Sequence, residues 1–470
     1  MRLIIIVYEQ ITYLKREIIL NRDLTTEEPS RALIKFTLPL FISVMFQQLY
    51  NIADSVIAGR YAGEDALAAV GASYPIAMIF MAFAVGSQVG CSVVISRYFG
   101  AKKFNETKTC ISTTLIAGLV LSALLTVLGL AFSTPLMRLV KTPDNIFADG
   151  NLYLRVYTGG FVFLFMYNIV TGIFSSMGDS RTPLALLIVS SVGNVILDAV
   201  FVIKLHYGVA GVAWATFIVQ GIACIVSALL LFRRVRGMEG RGRLFSMRSL
   251  LNIIKVAVPS ILQQSFVSVG NMFIQTLVNG FSSSVIAGYS AAIKLNTFAV
   301  TSCSTVGNAV SGFTAQNLGA GKPERVRRGF RAGAVFGSFV AFLFFALFFF
   351  FGDNLLALFM NEESTQLAAD TGMNFIKIVS PFYFFVCIKL VSDGVLRGSE
   401  SMGSFMAATF TDLILRVILA NIFVNFRAET GIWLAWPVSW IIATAMSYFF
   451  YKRCVRLRTN EVQHDETFSE

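Results

Sequence analysis

The first residues able to hold a cation lie in one long apolar stretch near the start of the chain. Gln47, Asn51 and Asp54 occur within residues 38–59, LPLFISVMFQQLYNIADSVIAG. Their spacing places them on one face of a helix, and the stretch is long enough to cross a bilayer, at roughly 30 Å. Because an ionisable group is costly inside a membrane, Asp54 indicates a functional site that faces a cavity or the bundle interior. The alternative is that Asp54, close to Gly59, only reaches water at the membrane surface.

A second polar pair, Asn194 and Asp198, is one turn apart and shares one helix face. The topology inferred below places several candidates in the same layer of the first half of the chain: Asp54, Asp198, Thr216, Tyr153 and Tyr157. Hard oxygen ligands of this kind suit a sodium ion. Two close carboxylates also raise each other's pKa, which suits proton capture.

The composition indicates the elements that must position these residues. The chain has 470 residues, of which 56% are hydrophobic and 14% charged, and its mean hydropathy is +0.70. This balance is typical of a multi-pass membrane protein. The six cysteines show no paired spacing and the two histidines are far apart, so we expect neither a disulfide framework nor a histidine metal site. No GxxxxGK[ST] stretch is present, so we expect no ATPase.

Twelve apolar segments are long enough to span a membrane. They cover residues 32–58, 67–96, 108–132, 152–175, 183–203, 209–232, 250–278, 285–314, 330–351, 373–396, 403–425 and 430–451. A basic, glycine-rich connector separates two halves of six. The predicted domains are a tail at 1–31, a bundle at 32–232, a linker at 233–249, a second bundle at 250–455 and a tail at 456–470.

The positive charges predict the orientation. The two tails and the connectors after segments 2, 4, 6, 8 and 10 hold most of the lysines and arginines outside the spans, and the opposite connectors hold only Arg60, Arg138, Lys141, Lys204 and Arg427. The positive-inside rule therefore predicts that both termini are cytoplasmic. Since topology accounts for the net charge of +11, we expect no nucleic-acid partner.

The two halves repeat one another. Pro39 and Asn51 return as Pro259 and Asn271, 220 positions later, and Gly100 returns as Gly319, 219 positions later. Asp54 corresponds to Ile274, so the repeat keeps the fold but not the acid. The sequence therefore predicts an all-α membrane protein in which twelve transmembrane helices form two six-helix bundles. A pseudo-two-fold axis along the membrane normal should relate the bundles, with the substrate path between them.

Several motifs resemble the MATE (multidrug and toxic compound extrusion) transporters over about residues 30–455. They are the helix-1 acid in NIADSVIAGRYAG, the connectors FGAKK and LGAGK, the turn MGDSRTP, and the pair Asn194 and Asp198. The resemblance implies a cation site, for H⁺ or Na⁺, built from four residues: Asp54, Asn194, Asp198 and Thr216. It also implies a nearby helix-4 tyrosine, which is either Tyr153 or Tyr157. The acid that one branch of the family has after the helix-7 proline is missing after Pro259, which favours the site in the first half.

The second half has ionisable groups of its own. Lys389 with Asp393, and Asp412 with Arg416, are spaced as pairs on one helix face, and we interpret both as structural ion pairs. Other polar residues are candidates for lining the cavity: Gln264, Asn271, Lys294 and Lys377. The alternative for Lys294 and Lys377, which lack a partner on their own helix, is an ion pair with another helix.

The resemblance implies a secondary active transporter that expels amphipathic, often cationic, organic compounds in exchange for H⁺ or Na⁺. We expect no enzyme activity, no cofactor and no metal beyond a coupled Na⁺, and we expect a monomer in the plasma membrane. One alternative is a flippase of related fold for a lipid-linked precursor, with Lys294, Lys377 and Arg416 in a cationic cavity. A second alternative, an intramembrane enzyme, lacks a recognisable nucleophile or metal cluster.

Overall fold

The computed structural model describes residues 23–57, 64–140, 142–359 and 365–467, with side chains described for 23–50, 68–140, 142–359 and 365–457. Helices account for nearly all of this part of the chain, and no strand occurs in it. The helices of the first half are α1 (Pro29–Ile57), α2 (Glu64–Gly100), α3 (Phe104–Leu139), α4 (Asp144–Gly159), α5 (Phe161–Ser176), α6 (Arg181–Asp198) and α7 (Gly208–Arg236). Those of the second half are α8 (Met247–Val278), α9 (Ser283–Gly319), α10 (Pro323–Ala357), α11 (Gln366–Val379), α12 (Tyr383–Gly398) and α13 (Met402–Thr467).

These helices provide the twelve membrane spans. Within the described ranges, nine stretches are long and apolar enough to cross a membrane, and one of them is formed by α11 and α12 together. Helices α4 and α5, bent by 45°, make a tenth. Helix α9 supplies an eleventh span. Most of its residues are buried, so it needs less apolar surface than a helix that faces lipid. Non-helical backbone at Arg427 and Ala428 divides α13 into two spans. The predicted all-α fold of twelve spans is confirmed.

Polar side chains cap several helix ends at the connectors. The Ser246 hydroxyl accepts a hydrogen bond from the Ser249 amide at the start of α8, and Thr365 does the same for Ala368 at α11. Before α1, the Glu28 carboxylate accepts hydrogen bonds from the amides of Arg31 and Ser30, and these bonds lower its pKa. These three helices therefore begin where the sequence supplies an oxygen acceptor.

The helices form two lobes: the N-lobe, α1–α7, and the C-lobe, α8–α13. In the N-lobe, α2 packs against α4 and α5, and α1 packs against α6; in the C-lobe, α9 packs against α11 and α12, and α8 packs against α13. The lobes meet mainly through α2, which contacts α8 and α9. Glycines permit this close approach, because a methyl group at Gly90 would lie 2.5 Å from Ala257 and one at Gly86 would lie 2.5 Å from Ile261.

The inter-lobe contact is tightest at the end of the molecule that carries the basic connectors. Gly100 packs against the backbone of Gln316, and Gly319 packs against the backbone of Arg97. Arg97 also forms an ion pair with Glu400, at 2.7 Å. Towards the opposite end, residues on the facing sides of the lobes are exposed, including Ile79 and Lys294. The exposed facing sides define an inter-lobe cleft.

Candidate functional site

A chain of hydrogen bonds joins α1 to α6 in the N-lobe. The Tyr50 hydroxyl donates to Oδ1 of Asn194, and Nδ2 of Asn194 donates to Oδ2 of Asp198 at 3.0 Å. Asn194 is 3% exposed and Asp198 is fully buried. A buried carboxylate needs compensating hydrogen bonds or charge, so this arrangement holds an acid in the protein interior beside α1.

The structure thus brings together the predicted pair Asn194 and Asp198 and adds Tyr50. The sequence offered a signal for Tyr50, which stands one turn after Gln47 in the same polar stretch. Gln47 is exposed. The side chains of Asn51 and Asp54 lie outside the described residues, although the backbone of α1 continues through both.

A small pocket lies in the same lobe, between α4, α5 and α7. It has a volume of about 20 Å³, which is enough for one water molecule. Its lining includes Tyr153, Tyr157 and Thr216, and the two tyrosine rings are stacked with centroids 6.4 Å apart. Both candidates for the helix-4 tyrosine therefore accompany Thr216.

The pocket and the acid are connected through irregular backbone. The chain passes directly from Asp198 into a π-helical turn, Ala199–Lys204. Val202 of this turn packs with Val212 of α7 and with Tyr153. Because π-helical turns often mark functional positions, this one is a further sign that the end of α6 is specialised. No feature of the sequence predicted the turn.

The C-lobe contains a buried network of four charges. Lys389 lies 2.9 Å from Asp393, and Arg416 lies 2.9 Å from Asp412, as predicted from their spacing. Lys389 also lies 3.8 Å from Asp412, which joins the two pairs across α12 and α13. Ser447 donates a hydrogen bond to Oδ1 of Asp393. With two acids and two bases the network is neutral, as deep burial requires.

The four candidate cavity residues lie on three helices. Gln264 is half-buried and Asn271 exposed on α8, and Lys294 is exposed on α9. Lys377 is exposed on α11, about 140° around that helix from Gly372, which packs against Gly288 of α9. Lys377 therefore points away from α9, the helix that carries Lys294.

The described residues contain no group of three His, Cys, Asp or Glu side chains placed to hold a metal ion. All six cysteines are free; five are buried and Cys224 is half-buried. A sodium site built from Asp198, Asn194 and Thr216 would use carboxylate, amide and hydroxyl oxygens, which suit that ion.

Two buried polar centres inside a bundle of twelve apolar spans are typical of membrane transporters. The sequence model of the MatE family matches residues 39–200 and 259–422. The chain therefore belongs to the MATE family, and the match falls once on each half of the repeat.

Relatives align along almost the whole chain. A probable multidrug resistance protein, YpnP of Bacillus subtilis, is 25% identical over 431 residues, which are 92% of this chain and 96% of the relative. The FAD transporter of Shewanella oneidensis is 24% identical over 432 residues, which are 90% of this chain and 94% of the relative.

Solved structures share the fold. A MOP superfamily transporter from Pyrococcus furiosus, described as having a binding pocket of reverse polarity, superposes with a TM-score of 0.88 at 22% identity, covering 93% of this chain and 98% of its own. A multidrug resistance MATE family transporter in an outward-facing conformation gives a TM-score of 0.88 at 22% identity, covering 94% of this chain and 99% of its own. The two-lobed architecture is therefore that of known transporters.

Proposed function

We propose that the protein is a secondary antiporter of the plasma membrane that expels amphipathic organic compounds, organic cations among them, in exchange for H⁺ or Na⁺. The observation that carries the proposal is the fully buried Asp198, linked through Asn194 to Tyr50 of α1. The multidrug resistance protein YpnP, which aligns over 92% of the chain, supports the export of organic compounds.

Coupling would act through the distance between α1 and α6. A cation bound at Asp54, Asn194, Asp198 and Thr216 would neutralise the carboxylates and draw the two helices together. Pro39, inside α1, removes a backbone hydrogen bond and allows the helix to bend there. Because α1 also packs against α9 of the C-lobe, bending α1 would change the width of the inter-lobe cleft. The cation and the cargo would then favour different conformations.

The flippase alternative receives less support. It requires several cations in one cavity, but Arg416 is buried against Asp412, with its guanidinium 4.3 Å from the Trp436 ring. Lys377 points away from the side of α11 that contacts α9. Among the three cations considered, this leaves Lys294 to line the cleft.

The test is dye efflux from energised vesicles, with a pH gradient and a sodium gradient imposed separately. At least one gradient should drive efflux by the wild type, and neither should drive it in Asp54→Asn, which removes the charge with little change in size. Failure of both gradients to drive the wild type would refute the antiporter. Driven efflux by Asp54→Asn would instead remove Asp54 from the coupling site.

A further inference from the structure

One face of α9 carries a continuous row of polar side chains. Residues on this face are exposed or half-buried and recur every three or four positions: Ser290, Lys294, Thr297, Thr301, Ser304 and Asn308. At Gly312 the same face lies near Phe36 of α1 and Ser96 of α2, with 3.9 Å to each from an added methyl group. Lys294 and Gly312 are about five helical turns apart and point in the same direction. The polar row therefore faces the N-lobe across the cleft.

A second polar row lies on α8. Ala257 and Ile261 of α8 pack against Gly90 and Gly86 of α2. Along the chain, the same face of α8 continues as Gln264, Ser268, Asn271 and Gln275, all half-buried or exposed. The helical repeat keeps these residues on the side that faces the N-lobe. The C-lobe wall of the cleft is therefore hydrophilic on both helices.

The α2 wall of the cleft is apolar. Beyond the glycine contacts, the face of α2 that turns towards the C-lobe continues as Phe83, Ile79 and Pro75. Ile79 is 51% exposed. An apolar wall opposite a hydrophilic wall is complementary to an amphipathic molecule, because each part of such a molecule meets a surface of its own polarity.

Lys294 gives the hydrophilic wall its charge. Its Nζ lies 5.4 Å from the centroid of the Phe359 ring, a weak cation–π contact. In the described part of the chain, none of the ion pairs includes Lys294. The buried Lys389, by contrast, has two carboxylates within 4 Å. A lysine that lies within a membrane span, faces a cavity and forms no ion pair with a carboxylate indicates a functional site.

We propose that Lys294 binds the carboxylate or phosphate group of an amphipathic organic substrate in the cleft. The amide and hydroxyl groups of the two polar rows, among them Thr301 and Asn271, donate hydrogen bonds to its polar part. The apolar part packs on Ile79 and Phe83. This assignment rests on the proposed transport function in one respect, that the bound molecule is the transported substrate. It extends the class of substrates from organic cations to zwitterions and anions.

A pair of dyes that differ in one carboxylate tests the assignment. Rhodamine B carries a free carboxylate, which is blocked in its ethyl ester, and the fluorophore is the same. Binding is measured by fluorescence polarisation to the full chain in nanodiscs of zwitterionic lipid, without any ion gradient. A charge-assisted hydrogen bond in a partly desolvated site changes affinity by about tenfold or more, so the wild type should prefer rhodamine B by about that factor.

Four variants test whether Lys294 causes the preference for rhodamine B. Lys294→Gln should bring the affinity ratio of the two dyes close to one, and Lys294→Arg should preserve the preference. Thr297→Glu places a carboxylate one turn from Lys294 and should remove the preference while the lysine stays. Lys377→Gln is the matched control, since it removes an exposed lysine from the side of α11 that points away from α9, and it should behave as wild type.

Equal affinity of the wild type for the two dyes, including no measurable binding of either, would overturn the proposal. A preference that survives Lys294→Gln, or one that Lys377→Gln abolishes equally, would also overturn it. Because the assay uses no gradient, its result is independent of whether the protein couples transport to H⁺ or Na⁺.

Discussion

Asp198 and Asp393 are both buried aspartates, and their surroundings give them different roles. Asp393 balances Lys389 at 2.9 Å and accepts a hydrogen bond from Ser447, so its charge is neutralised locally. Asp198 accepts a hydrogen bond from Asn194, which in turn accepts one from Tyr50 of α1, so its carboxylate belongs to a chain of hydrogen bonds that joins α6 to α1. The first arrangement suits structure and the second suits coupling.

This contrast predicts different losses in two variants. Asp198→Asn should abolish gradient-driven efflux while the protein remains folded, because it removes the charge at constant size. Asp393→Asn should retain efflux and lower thermal stability, since it leaves Lys389 with only the more distant Asp412, at 3.8 Å. Removing one partner of a buried ion pair lowers the free energy of unfolding by about 3–5 kcal/mol. Because Asp412 still faces Lys389, we expect a loss of about 3 kcal/mol or less. Efflux per folded molecule and detergent melting curves measure both effects.

Equal loss of efflux in the two variants, or a greater loss in Asp393→Asn, would contradict the assignment of coupling to the N-lobe. Expression and a monodisperse elution profile are the controls for folding.

The sequence predicted contacts within one helix better than contacts between helices. The spacing of Asn194 and Asp198 predicted a shared face, and the structure adds their hydrogen bond. The bond from Tyr50 and the contact of Lys389 with Asp412 join different helices. Such contacts depend on how helices rotate and approach, which a periodic pattern does not encode. The grouping of Asp54 with the N-lobe site stays a prediction.

At the scale of elements, close helix packing depends on particular glycines. Gly307 of α9 and Gly394 of α12 approach so closely that an added methyl group on either one would overlap the backbone of the other helix. Gly193 of α6 is also inside a helix, yet a methyl group there meets nothing within 4 Å. Apolar segments predicted both helices, but a glycine that packs against backbone cannot be told from one in open space by sequence alone.

Gly394→Ala should therefore destabilise the protein, by about 1–3 kcal/mol for an overpacked site. Gly193→Ala, its matched control, should change stability by no more than about 0.5 kcal/mol. Melting temperatures of the two purified variants in the same detergent make the comparison. A Gly394→Ala protein as stable as Gly193→Ala would show that the contact between α9 and α12 is loose.

At the scale of the whole molecule, the distribution of charge predicts the orientation. The connector between α7 and α8 is basic, so it should lie in the cytoplasm with both termini. Glu239 is exposed in this connector. The neighbouring Gly240 is unsuitable for a probe, since its φ of +84° and its contact with Asn105 exclude a side chain.

In intact cells, an impermeant thiol reagent should fail to label Glu239→Cys and should label Ser282→Cys. Ser282 is exposed in the connector between α8 and α9, at the opposite end of α8. The native cysteines are buried or half-buried and should give little background. Labelling of Glu239→Cys with protection of Ser282→Cys would reverse the orientation.

The paired packing of Gly100 on Gln316 and of Gly319 on Arg97 is an isologous contact. Gly100 and Gly319 are equivalent positions of the repeat, and so are Arg97 and Gln316, both 219 residues apart. Two identical subunits related by a dyad would touch in this way, and here the segment between Arg236 and Met247 tethers them. In a true homodimer every substitution appears twice, whereas in a tethered pair each copy can diverge alone. The fusion therefore allows one copy to have Asp54 where the other has the apolar Ile274.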